Sequence, residues 1–158
     1  MDVLFDDGCR NILSHTIASP VDWTDPFAGE PYVCMVWNHG SAFDSVKRKA
    51  VAVKLIDSNC RYAVCGGVNC ENWHDDIDTV FVKGHQGLSD AKYDAVMLMT
   101  TWHDDESLED IAFFFVQSTR LNGKEEFENY LVLHVGEGEF LTAVNEAVRK
   151  EAAGEAGD

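Results

Sequence analysis

Basic residues are scarce in this chain: 12 Lys and Arg stand against 28 Asp and Glu, a formal net charge of −16 over 158 residues. Such a chain repels phosphate backbones and anionic membrane surfaces, which argues against nucleic-acid and membrane-surface binding. Long apolar runs are missing as well; none approaches the ~20 residues needed to span a bilayer. The segment Met1 to Asp7 has neither a basic stretch nor an extended apolar one, so no signal peptide is expected there. There are only three prolines, Pro20, Pro26 and Pro31, all in the first fifth of the chain. The five cysteines form an odd set, which together with the missing signal predicts free thiols and a reducing, cytoplasmic setting. Established signatures are also absent. There is no His-Glu-x-x-His, no paired Cys-x-x-Cys, no P-loop and no Gly-x-Gly-x-x-Gly.

What is present is one tetrapeptide written twice. Trp73-His74-Asp75-Asp76 recurs as Trp102-His103-Asp104-Asp105, 29 positions later. Both copies join an imidazole to carboxylates, the groups of metal binding and proton transfer.

The pattern around the repeat alternates. Residues 1–31, broken by the prolines, read as an irregular arm ahead of one α/β domain that extends to residue 150. Residues 151–158 read as a flexible acidic tail. Tyr32 to Trp37 is a continuous apolar run that suits a strand buried on both faces. Ser41 is a candidate N-cap for a helix over 42–58, with Phe43, Val46, Ala50, Val53 and Leu55 at helical spacing. Arg61 to Cys65 is a second strand, stopped by Gly66-Gly67. Cys70 to Asp76 reads as a short helix or turn and Thr79 to Val82 as a third strand. Residues 83–94 read as a loop, and Ala95 to Thr101 as a fourth strand. A helix is expected over Ser107 to Arg120, a fifth strand over Tyr130 to Val135, and a last helix over Glu139 to Lys150.

Alternating strands and helices imply right-handed crossovers and a mostly parallel sheet covered on both faces. The expected fold is a three-layer α/β sandwich of about five strands, flavodoxin-like or Rossmann-like. A strand order of 3-2-1-4-5 would set the first and fourth strands side by side at the switch point. Ligands of open α/β sheets bind there, outside the carboxyl ends of the strands. His39 and the Trp102 to Asp105 segment would then share one rim, with His74 and Asp75 nearby.

Each residue also has an ordinary reading. Asp104, Asp105 and Ser107 precede a helix and suit its free N–H groups and its dipole. Trp73 suits a core edge, and Cys34, Cys60 and Cys65 suit the core itself. Cys65 or Cys70 as a nucleophile is the sharper alternative for the thiols. For the repeat, the sharper alternative is a divalent metal held by His39, His74, His103 and Asp104, or acid–base work by His103, Asp104 and Asp105.

The run Met99 to Glu109, centred on Thr-Thr-Trp-His-Asp-Asp-Glu, with Cys65, Cys70 and His74-Asp75 upstream, resembles an uncharacterised family of small bacterial domains. The resemblance covers about residues 31–120. It implies a bacterial cytosolic origin and no particular activity.

Two functions follow as expectations. One is a non-catalytic interaction module: an adaptor, regulator or immunity-type binder that meets a basic protein partner through its acidic surface. The other is a metal-dependent hydrolase or ligand-binding domain with a His/Asp site at the carboxyl ends of the strands.

Overall fold

A computed structural model describes residues 1–40, 43–121 and 126–155. Strands β1 (Asp2–Asp6) and β2 (Asn11–Ile17) open the chain. A short 3-10 turn (Pro20–Asp22) leads to β3 (Tyr32–Asn38), α1 (Ser45–Asp57) and β4 (Cys60–Gly67). Then come α2 (Cys70–Gly84), α3 (Asp90–Val96), β5 (Met99–Trp102) and α4 (Leu108–Phe113), which runs into a π-helical turn (Phe114–Ser118). β6 (Asn129–Val135) and α5 (Leu141–Ala152) end the described chain.

The six strands form one sheet in the order β1-β2-β6-β3-β4-β5. All neighbours are parallel except the β1–β2 hairpin at the edge. Helices cover both faces. Trp73, Ile77 and Phe81 of α2 and Val51, Ala52 and Leu55 of α1 pack on one side. Ile111 and Ala112 of α4, Phe115 and Val116 of the π-turn, and Val144 and Val148 of α5 pack on the other. Strands β3, β4 and β6 are buried nearly end to end, as expected of strands covered twice. No helix among the described residues is long and apolar enough to cross a membrane.

The expected α/β architecture with a mostly parallel sheet holds, but the sheet has six strands rather than five. Two corrections account for the difference. The N-terminal arm is not irregular: β2 pairs with β6 along its whole length, from Asn11↔Asn129 to Ile17↔Val135. Ile12 and Ile17 are fully buried, which outweighs the polar Ser14, His15 and Thr16 between them. The strand expected at Thr79 to Val82 is instead the last part of α2. Its β-branched residues favour a strand locally. Yet Cys70, Trp73, Ile77 and Phe81 recur at helical spacing, and all four are buried on the sheet. That longer pattern wins because it buries far more apolar surface.

Smaller shifts follow the same logic. The loop expected over residues 83–94 contains the start of α3, where the Ser89 side chain accepts from Lys92 N. β5 begins only at Met99, because Ala95 and Val96 finish α3. In α1 the buried face is Val51, Ala52 and Leu55, while Val46 and Val53 face solvent. The proposed cap Ser41 lies outside the described residues; Asp44 caps α1, its carboxylate accepting from Lys47 N at 2.9 Å. At the other end α5 continues through Ala152, into the segment read as a tail.

Ser107 does cap α4 as expected, its hydroxyl accepting from Asp110 N at 3.1 Å. Ser107→Ala is expected to cost about 1 kcal/mol of stability in urea unfolding, the usual value of such a cap.

Candidate functional site

The strand order decides which side chains meet. β3 lies between β4 and β6, so β5 is one strand removed from it. The sequence reading set β3 beside β5 because the false strand at Thr79 to Val82 displaced the count by one. With it gone, the order of strand addition reverses between the parallel neighbours β3 and β6, and the carboxyl ends that meet are Trp37-Asn38-His39 and His134-Val135-Gly136.

The Trp-His-Asp-Asp copies touch, but away from that point. Trp73 is 1% exposed and packs against Phe43 with ring centroids 5.8 Å apart. Asp76 is held by the Arg48 guanidinium at 2.6 Å and by the Ser45 hydroxyl. His74 lies over Trp102, with centroids 4.5 Å apart, and its Nδ1 contacts Asp75 at 2.9 Å. So a core tryptophan, a half-buried ion pair and a tilted ring contact take up the first copy.

In the second copy His103 is 8% exposed and both its ring nitrogens are engaged. Nδ1 meets Glu106 Oε2 at 2.8 Å and Nε2 meets Thr101 Oγ1 at 2.9 Å. Its backbone N–H donates to Cys65 O and its ring packs on Phe114. His103 therefore ties the end of β5 to β4 and to α4. Asp104 and Asp105 are exposed, and Asp105 turns the chain at φ 58°. Asp104 also borders a shallow polar hollow with Asn69, Cys70 and Glu71. His39 sits on β3 at the other side of β4, away from His103. No group of three or more His, Cys, Asp and Glu side chains that could hold a metal ion occurs among the described residues.

The thiols read as core. Cys34, Cys60, Cys65 and Cys70 are buried and unpaired. Burial raises the pKa of each, pushing Cys60 up to about 12 and raising Cys34, Cys65 and Cys70 as well. A raised thiol is a poor nucleophile at neutral pH.

The β3/β6 junction carries a different constellation. His39 Nε2 and His134 Nδ1 are 2.7 Å apart, His134 Nε2 and Asn145 Oδ1 are 2.7 Å apart, and Ser14 Oγ donates to the same Oδ1 at 3.2 Å. The chain of contacts links β3, β6, α5 and β2. Each element places its member for a plain reason. His134 pairs in register with Trp37 and Thr16. Asn145 of α5 reaches interior strands of the sheet, meeting Ser14 of β2 and His134 of β6. Ser14 is the buried polar residue of β2. His134 is fully buried, and loss of hydration lowers its pKa to about 4, partly opposed by the Asn145 contact. His39 is also lowered, by partial burial.

A cleft of about 320 Å³ opens over His39. Its walls are Trp37-Asn38-His39 at the end of β3, Gly67-Val68 at the end of β4, and Gly138-Glu139-Phe140 ahead of α5. Two glycines shape it. Gly67 holds φ +82°, and a Cβ there would sit 2.3 Å from Asn38 O. A Cβ on Gly138 would reach within 3.0 Å of His39 Nδ1.

Of the residues singled out from sequence, His39 alone lies in this cleft. His134, Asn145 and Ser14 were missed. His134 did leave a signal: it interrupts the otherwise apolar run Tyr130 to Val135, and a buried imidazole needs hydrogen-bond partners.

No curated protein matches the chain. The family model of the domain of unknown function DUF7684 matches residues 12–151, from β2 into α5.

Proposed function

This chain belongs to the DUF7684 family, and we propose that it is a ligand-binding domain whose site is the cleft over His39 at the β3/β6 junction. The observation that carries this reading is the hydrogen-bonded chain that runs inward from His39, which lines that cleft, to His134 and Asn145. Burying a histidine costs stability unless its ring nitrogens are hydrogen-bonded, and groups with pKa values shifted by burial concentrate at functional sites. The fold supports the placement. With β3, β4, β5 and β6 numbered one to four, the order is 3-2-1-4, which we read as a Rossmann-like doubly wound core extended by the β1–β2 hairpin. The switch point of that core falls at the cleft. The cysteines, all unpaired, suit a reducing cytoplasmic setting.

The test is amide chemical-shift mapping of the full chain with a library of small organic fragments. Hits are expected to perturb Val68, Gly138 and Phe140 together. Fragments that bind only elsewhere would defeat the reading.

A second reading is favoured by one feature. Trp102 is 45% exposed, packed at a tilt against His74, and neighboured by exposed acids including Asp75, Asp104 and Asp105. An aromatic anchor in an acidic rim suits a basic protein partner. Such a complex would weaken with added salt and with Trp102→Ala. A complex indifferent to both would exclude this surface.

A further inference from the structure

Resting on that reading of the cleft, we propose that His39 Nδ1 is a hydrogen-bond acceptor for an N–H donor on a cationic or uncharged ring compound. His134 and Asn145 act as positioning residues that keep this atom unprotonated.

The tautomers follow from the contacts. Asn145 Oδ1 can only accept, and it faces both the Ser14 hydroxyl and His134 Nε2. His134 Nε2 therefore carries the proton. Burial keeps His134 neutral, so its Nδ1 is bare and must accept. The donor across the 2.7 Å contact is then His39 Nε2–H. A neutral His39 with its proton on Nε2 leaves Nδ1 as a lone pair. No hydrogen bond among the described residues engages that atom. Gly138 leaves room beside it, since any Cβ there would press on Nδ1 at 3.0 Å.

The lining selects the ligand. Trp37, Val68 and Phe140 offer apolar and aromatic surface, and Glu139 is the one charged side chain among the described residues of the wall. An anion would meet a carboxylate, a lone pair and a chain of net charge −16. A phosphate, the usual guest of a switch point, is thereby disfavoured. A cationic or neutral ring with an N–H donor suits all three features.

The experiment uses the full chain with ring-¹⁵N histidine. Long-range proton–nitrogen spectra at neutral pH are expected to give His39 and His134 both as Nε2–H tautomers. Benzamidine, the cationic probe, should shift His39 Nδ1; benzoate and inorganic phosphate should not. His39→Leu removes the lone pair together with the donor toward His134. It should weaken benzamidine about tenfold or more, the ratio that a charge-assisted hydrogen bond supplies. An Nδ1–H tautomer at His39 would overturn the inference. So would benzamidine binding in the cleft that leaves Nδ1 unmoved or survives His39→Leu, with the ligand-binding reading intact. If no probe or fragment perturbs the cleft, that reading fails as well.

Discussion

Between about pH 7 and about pH 4 the protein is expected to lose about 3 kcal/mol of stability through His134 alone. The sign follows from linkage. His134 has a pKa of about 4 in the fold, against an ordinary 6.5. Between those values the unfolded chain binds a proton that the folded chain refuses, so acid favours unfolding. The stability is fully present above about pH 6.5, falls as pH drops through the interval, and levels off below about pH 4. His39, lowered as well, contributes in the same direction. An opposing effect is the relief of charge repulsion as carboxylates protonate in a chain of net charge −16. The comparison that isolates His134 is urea unfolding of the wild type and of His134→Gln across the same range. The variant starts less stable but should be flatter, with the two curves converging toward low pH. Parallel curves would mean that His134 is already solvated in the fold.

The second large effect separates the two copies of the tetrapeptide. Trp73→Ala is expected to cost about 3–5 kcal/mol, the usual loss for a fully buried aromatic. Its ring fills the space between α2, the sheet and Phe43, and small residues nearby cannot close that volume. Against a typical total of about 5–15 kcal/mol the loss is severe. Trp102→Ala, the same change in the other copy, is expected to cost less than about 1 kcal/mol. It forfeits one tilted ring contact with His74 and exposes no core. Urea unfolding of both variants checks the pair. Similar losses would contradict the assignment of Trp73 to the core and Trp102 to the surface.

The parts of the fold that were legible are those where one signal dominates. β3, β4 and β6 are unbroken apolar runs, and parallel strands covered on both faces have that composition by necessity. Ser107 stood where a cap should stand, and it caps. β2 was hidden because its polar residues are satisfied from far away: Ser14 is buried through Asn145, 131 residues distant. No local pattern reveals such a partner. Thr79 to Val82 misled because four β-branched and aromatic residues outweigh helical spacing when viewed in a short window. The spacing of Cys70, Trp73, Ile77 and Phe81 becomes decisive only over the full fifteen residues of α2.

That single error changed which strand ends were set side by side. His39 does lie at one side of the junction between β3 and its parallel neighbour β6. With one strand too many, the other side was assigned to His103 rather than His134. The repeated tetrapeptide then drew the candidate residues, and three of its members are engaged in packing and pairing. His103 pins β5, Trp73 fills the core, and Asp76 pairs with Arg48.

His39 and His134 share a hydrogen bond beneath the cleft. The nitrogen–nitrogen scalar coupling across that bond in ring-¹⁵N-histidine protein tests it most directly. A resolved coupling between His39 Nε2 and His134 Nδ1 is expected, with the bridging proton protected from solvent exchange. No coupling, together with a His39 Nε2 proton that exchanges freely with water, would contradict it.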